Sequence, residues 1–258
     1  MCELGDTKSE EPEQDPGKRR FLKLAAASAL ALGVAGTTGR AAFAANTNPT
    51  PLPENIMTPE EALDRLMEGN ERYATGKSTP LEFSEDRAAL VSGQNPYACI
   101  LSCSDSRVSP EFCFDEQRGD LFVARVAGNY LTTDFVATLE YAAAVLHTPL
   151  IIVLGHQNCG AVKASIDSID NNKQFPGHIQ TLASALLPAV RAVKNMPGDR
   201  YDNAIKMNVI RNVDKLKKQP PILSRLVAAK KLLVVGGVYS LKTGRVDLTF
   251  PREFAIKR

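Results

Sequence analysis

Tryptophan is absent from this 258-residue chain, histidine occurs three times and cysteine five times. Five cysteines in so long a chain exclude a disulfide-framed scaffold. None of them forms a C-x-x-C pair, so the usual thiol-exchange motif is missing as well. Charge of one sign is also lacking. With 31 basic and 29 acidic residues the net charge is +2, so no basic field favours nucleic acid and no acidic field favours a cationic partner. The longest uncharged run near the start, Leu24 to Gly39, is 16 residues long, short of the roughly 20 strongly apolar residues of a membrane span. There is no internal repeat and no low-complexity block. What remains is 44% hydrophobic and 23% charged, a composition that suits one soluble domain with a sizeable core.

The first 44 residues read as a leader. An acidic, proline-containing start gives way to Lys18, Arg19 and Arg20, then to the apolar run, and "AFA" (Ala42 to Ala44) offers small residues two apart. A basic region, a short apolar region and a small-residue cleavage site make a signal peptide, 1–44, with a retained anchor helix as the alternative. "KRRFLK" resembles the twin-arginine export motif, with Lys18 and Arg19 at the twin positions, which implies a periplasmic or equivalent extracytoplasmic location. Cleavage after Ala44 would remove six basic and six acidic side chains, leaving 25 against 23 and a charge still of +2.

Residues 45–57 form a polar, proline-rich lead-in, and 58–258 read as one domain. Thr58 and Pro59 open a helix as N-cap and first helical residue, with Ala62, Leu63, Leu66, Met67 and Tyr73 as its apolar stripe. A short helix is expected over 83–91. Strand candidates are short and apolar: 98–102, 121–127, 150–155 and 232–239. Helical patterns cover 132–147 and a long region over 179–230. Continuous apolar strands alternating with helices predict an α/β fold with a mainly parallel central sheet flanked by helices. "KTGRVDLTF" predicts a turn into an edge strand at the C-terminal end.

Two motifs carry the chemistry, and both fall where strands end, the usual place for ligands in such sheets. "CSDSR" follows the strand at 98–102; extended backbone would point Cys103, Asp105 and Arg107 to one side. "GHQNCG" follows the strand at 150–155 and sets His156 and Cys159 three apart at the start of a helix. Two thiolates and an imidazole suit zinc, and three protein ligands leave a fourth position open, as catalytic zinc requires. A His-Cys pair alone is weak evidence; two clusters at neighbouring strand ends are much stronger.

These residues resemble the β-class carbonic anhydrases, from "ALDRLMEGNERYATG" through "CSDSRVSPEFCFDEQRGDLFVARVAGN" and "GHQNCGAVKA" to "GGVYSLKTGRVDL". The resemblance implies one zinc per chain on Cys103, His156 and Cys159, with Asp105 and Arg107 as the catalytic dyad. Asp105 would become a fourth ligand only in a closed state. In the plant-like branch the substrate pocket would use Gln94, Phe122, Tyr141 and Gly160. Ile100 stands where another branch has the Trp of an inhibitory bicarbonate site. The implied reaction is reversible hydration of carbon dioxide to bicarbonate by zinc-bound hydroxide, in a homodimer or higher even oligomer. A carbon disulfide or carbonyl sulfide hydrolase on the same site, and a non-catalytic zinc-stabilised binding module, are the alternatives; the dyad weighs against the second.

The other marked residues have plainer readings. His147 and His178 sit at helix ends and read as structural. Cys99 reads as a core residue and Cys113 as buried, with a disulfide between them an open alternative outside the cytoplasm. Arg125, in an apolar strand, calls for an acidic or carbonyl partner.

Overall fold

The computed structural model describes residues 56–80, 87, 90, 91 and 93–249. The leader, most of the lead-in and all but three positions of the expected 83–91 helix lie outside these residues; Arg87 and Leu90 are helical. Helix α1 (Pro59–Ala74) starts as its sequence requires. The Thr58 hydroxyl accepts from the Glu61 N–H at 3.2 Å, and the Glu61 carboxylate accepts from the Thr58 N–H at 2.7 Å. This reciprocal box satisfies two donors that the first turn leaves orphaned. Ala62, Leu63 and Leu66 are buried, and Met67 and Tyr73 pack beside them.

Strands β1 (Ala98–Ser102), β2 (Leu121–Arg125), β3 (Leu150–His156), β4 (Leu233–Tyr239) and β5 (Val246–Leu248) form one sheet in the order β2-β1-β3-β4-β5. The first four are parallel, and β5 returns antiparallel on β4, as the turn signal before it predicted. Between the strands run α2 (Pro110–Cys113), α3 (Thr133–Ala144), α4 (Gly160–Asp170), α5 (Ile179–Ala192), α6 (Arg200–Lys217) and α7 (Leu223–Ala228). Among the described residues no helix is long and apolar enough to cross a membrane.

The period of two divides the core. Cys99, Leu101, Ile151, Val153 and Val234 join the layer made with α3 to α7, while Ala98, Ile100, Ile152 and Val235 join the layer made with α1 and α2. Burial on both faces explains why these strands read as unbroken apolar runs. Helix α6 lies very close to the sheet because the strands beneath it carry glycine. A Cβ at Gly155 would come within 2.7 Å of a Val209 methyl, and one at Gly236 within 2.4 Å.

Several boundaries depart from the sequence expectation. Strand β2 stops at Arg125 rather than at 127, because Val126 to Asn129 make a turn closed by the Asn129 N–H on the Val126 carbonyl at 2.9 Å. The region 179–230 is three helices. Pro197 and Gly198 separate the first two and Asp199 caps the second; Pro220 and Pro221 separate the last two. The helix expected over 132–147 uses Thr132 as its N-cap and ends at Ala144.

From β1 the chain crosses to β2 on one side and then to β3 on the other. Beyond the carboxyl ends of β1 and β3 the connections leave in opposite directions, and the crevice so made is where open α/β sheets place ligands.

Candidate metal centre and active site

Both motifs meet in that crevice. Cys103 is the first residue past β1, His156 ends β3, and Cys159 is the N-cap of α4. Their ligand atoms lie within 4.8 Å of one another, and all three residues are buried. Among the described residues no other group of His, Cys, Asp and Glu is so arranged.

The histidine is prepared as a ligand. His156 Nδ1 lies 2.8 Å from the Gln157 carbonyl oxygen and donates to it, which leaves Nε2 with the free lone pair. Nε2 is fully buried and has no hydrogen-bond partner. A buried polar atom without a partner is destabilising unless something completes it, and a metal ion held with the two sulfurs would do so.

The thiols show what a cation would gain. Cys103 is pulled down to about 4, first by a hydrogen bond from the Cys159 thiol, then by His156 and by the backbone N–H of Gly128. That N–H donates to Cys103 Sγ at 3.2 Å. Cys159 is pushed up, because it shares its proton with the ionised Cys103 and is buried. Two sulfurs this close carry one charge between them readily and a second only against a cation, since a coordinating thiol is deprotonated outright. Both cysteines and the imidazole therefore fit a borderline-soft divalent metal.

Asp105 and Arg107 stand at the rim. Arg107 Nε donates to Asp105 Oδ1 at 2.9 Å and its terminal nitrogen to Oδ2 at 2.7 Å, a two-pronged pair. The Arg107 backbone N–H adds a third bond to Oδ1 at 3.0 Å. This guanidinium, more than any other group, holds the Asp105 carboxyl well below the usual carboxylate range. Asp105 Oδ2 also lies 3.8 Å from His156 Nε2, so the carboxylate borders the cluster. The expected alternation holds only through Asp105. Ser106 and Arg107 form a turn closed by the Val108 N–H on the Asp105 carbonyl at 3.1 Å, and Arg107 reaches back from it.

Arg125 has its carbonyl partners, three of them. It donates to the backbone oxygens of Cys103 at 2.9 Å, Asp105 at 2.8 Å and Val108 at 2.7 Å, fixing the whole loop. Across the crevice the Tyr201 hydroxyl donates to the Cys159 carbonyl at 2.6 Å. Neither Tyr201 nor Gly128 was marked from the sequence, since their partners are a backbone oxygen and a sulfur two elements away along the chain.

The family model described as carbonic anhydrase matches residues 98–246. The chain belongs to the carbonic anhydrase family. "Carbonic anhydrase 2" of Mycobacterium tuberculosis is 36% identical over 191 residues, covering 74% of this chain and 92% of that protein. A carbonic anhydrase of Mycolicibacterium smegmatis is 35% identical over 191 residues, covering 74% of this chain and 93% of the other. Among solved structures, the β-carbonic anhydrase CcaA superposes with a TM-score of 0.58 at 27% identity, covering 74% of this chain and 93% of that one. The Coccomyxa β-carbonic anhydrase in complex with acetazolamide gives 0.57 at 29%, covering 72% and 85%. This protein is thus a carbonic anhydrase of the β class, and the matched span includes both motifs.

The four expected pocket residues do not all join the carbonic anhydrase site of their own chain. Gly160 follows Cys159 at the first turn of α4 and has open space around it. The rings of Phe122 and Tyr141 face each other with centroids 6.1 Å apart, and Tyr141 is 47% exposed. Phe122 pairs in register with Cys99, however, four residues short of Cys103 and so about 13 Å back along the strand. Gln94 is exposed and precedes the amino end of β1, whereas Cys103 follows its carboxyl end. Of the residues with plainer readings, His147 is exposed three residues past the end of α3 rather than at it, His178 is exposed as the N-cap of α5, and Cys99 and Cys113 are buried free thiols.

Proposed function

We propose that this carbonic anhydrase holds one zinc ion per chain on Cys103 Sγ, His156 Nε2 and Cys159 Sγ and interconverts carbon dioxide and water with bicarbonate and a proton. The observation that carries the reading is the unpartnered, buried Nε2 set among two thiols, with a clamped carboxylate at its edge. Zinc, when bound, supplies Lewis acidity that brings the pKa of a water down to about 7.

The chain's own residues do the rest. Asp105 stays ionised at any working pH because Arg107 covers both its oxygens. It can therefore accept a hydrogen bond from the attacking oxygen and turn that oxygen's lone pair toward the carbon. For Asp105 to become a fourth ligand it would have to give up its Arg107 bonds, so Arg107 decides how readily the site closes. Carbon dioxide has no charge to grip, and an apolar wall with one donor is the complementary pocket. Phe122, Tyr141 and Gln94 supply those groups, but they lie toward the other end of the sheet from their own cluster. We infer that a second copy brings them, which makes a homodimer, or a higher even oligomer, the working unit. The leader 1–44 would carry the enzyme out of the cytoplasm before removal.

Zinc content and stopped-flow hydration of carbon dioxide test the reading. The wild-type chain should bind one zinc and be active, while His156→Ala and Cys159→Ser should lose both properties. Full zinc and full rate in either variant would overturn the ligand assignment.

A further inference from the structure

Helix α6 carries two buried asparagines on a face otherwise made of Ala204, Ile205, Val209, Val213 and Leu216. Asn208 is 4% exposed and Asn212 3%. Amides in such a place must repay their desolvation with hydrogen bonds, and the bonds they make lead to the metal ligands. Asn212 Nδ2 donates to Asn208 Oδ1 at 3.0 Å and to the Asn208 carbonyl at 2.8 Å. Asn208 Nδ2 donates to the Gly128 carbonyl at 2.8 Å, and the Gly128 N–H donates to Cys103 Sγ. Asn212 Nδ2 also reaches the Asn129 carbonyl at 3.5 Å.

The turn that presents this N–H has little means of holding itself. Gly128 and Asn129 both have positive φ, +86° and +41°, a region uncommon for residues other than glycine, though asparagine is among those that enter it most readily. Side chain is excluded at Gly128 as well, because a Cβ would lie 2.8 Å from Leu186 Cδ1 and 3.1 Å from Ala161 Cβ. One internal bond closes the turn, and α6 binds its last two carbonyls. Helix α6 can do this because Val209, next to Asn208, packs directly onto the sheet at Gly155 and Gly236, where no side chain holds it off. Tyr201, two turns earlier on the same helix, holds the Cys159 carbonyl. A single helix thus holds the backbone at Cys159 and the turn that donates to the Cys103 sulfur.

We propose that Asn208, oriented by Asn212, is a positioning residue for the metal centre: by holding the Gly128 carbonyl it fixes the turn whose preceding peptide presents the N–H that Cys103 Sγ accepts. An N–H···S bond withdraws electron density from the thiolate and fixes its direction, as outer-shell partners do for other metal ligands. Without Asn208 the turn loosens, the sulfur loses its donor, and the ligand set is less well ordered for the ion. The inference rests on the zinc reading above and deepens it.

The test compares full-length Asn208→Ala, Asn208→Leu and Val213→Ala with the wild type. Leu fills the volume without a donor. Val213→Ala removes buried packing from the same helix without touching the turn. Two readouts are taken: zinc affinity by chelator competition, and the sulfur-to-metal charge-transfer band of the cobalt(II)-substituted protein. Both Asn208 variants should bind zinc about 10-fold more weakly, the low end for outer-shell losses, and their cobalt band should move to lower energy as the sulfur becomes more electron-rich. Val213→Ala should lower the unfolding temperature with affinity and band unchanged, and Asn212→Ala should show the Asn208 effects in smaller degree. If the wild type loads zinc and the Asn208 variants keep both its affinity and its band, the positioning role is wrong and the zinc site stands. If the Val213→Ala band moves as far as theirs, the effect is general loosening and the proposal falls. If the wild type takes up no zinc, the metal reading and this inference fall together.

Discussion

Replacing Asp120 by Asn should make the protein more stable, and increasingly so as pH rises. Asp120 and Glu116 are each 4% exposed and share one nearby cation, Arg65. Arg65 donates to Glu116 Oε2 at 2.8 Å and more weakly to Asp120 Oδ1 at 3.3 Å. The Tyr97 hydroxyl also serves Glu116, at 2.6 Å. Glu116 therefore holds the stronger partners, and burial, followed by the Glu116 charge, pushes Asp120 up to about 7. In the unfolded chain an Asp titrates near 3.9. Between those values the folded protein holds a proton that the unfolded chain has released. A proton held by the native state alone means that stability falls with rising pH, at roughly 1.4 kcal/mol per unit, until the folded group ionises. From pH 5 to pH 8.5 about two units of that window are crossed, a loss of roughly 3 kcal/mol in the wild type. Asn imitates the protonated acid: its oxygen can accept from the Gln117 N–H as Asp120 does now, and its amide can donate toward Glu116. Urea unfolding of both proteins at pH 5 and 8.5 isolates the effect, since their difference cancels every titrating group they share. The advantage of Asn should grow by about 3 kcal/mol, or roughly 6–12 °C in midpoint for a domain of this size. A pH-independent difference, or one that shrinks toward pH 8.5, would refute the shared-proton account.

Asp105→Asn should retain zinc while the hydration rate falls about 10²–10⁴-fold, and Arg107→Ala should fall similarly, with the double variant scarcely worse than either because the two act as a unit; rates and metal content on all three proteins check it. Arg125→Lys keeps the charge but cannot span the carbonyls of Cys103, Asp105 and Val108 together, so hydration should drop at least about 10-fold with the fold intact by circular dichroism. Sequencing the exported protein should return Ala45 as its first residue, and recovery of Met1 or Cys2 there would reject the leader reading.

What was legible in the sequence is what repeats or alternates. The strands read from unbroken apolar runs, the start of α1 from the Thr58-Pro59 cap, and the edge hairpin from the Lys242-Thr243-Gly244 turn. Cys103, His156 and Cys159 could be joined in advance because parallel α/β sheets gather strand ends, even though 52 residues lie between Cys103 and His156 along the chain. Less legible was how far each pattern ran. Strand β2 stops short where its backbone turns at Gly128, and one helical region is three because Pro and Gly interrupt a continuous periodicity. The pocket trio is a different case. Gln94, Phe122 and Tyr141 are identifiable by position in the motif, yet position along a strand sets which end of the sheet they occupy, and only the register of β1 with β2 reveals that.

The groups that shape the centre without touching a metal were harder to read for a further reason, although Arg125 stood out as a charge in an apolar strand. Arg125, Tyr201 and Asn208 all bind backbone carbonyls of loops, and a backbone carbonyl leaves no mark in a sequence. Loops at the carboxyl ends of strands carry the reactive side chains because they are free to vary, but that same freedom would blur a ligand geometry that zinc needs to within a few tenths of an ångström. A clamp on the loop's own carbonyls removes the freedom at its source, whichever side chain the loop displays. It also stays out of the metal's coordination sphere. Such a clamp must come from an element already rigid, and here β2 and α6 supply it from opposite sides of the crevice. A polar residue interrupting an apolar pattern is therefore the sequence signal these clamps give: Arg125 closes an apolar strand, and Asn208 and Asn212, four apart amid Ile205, Val209 and Val213, break a buried helical stripe that nothing local requires them to break.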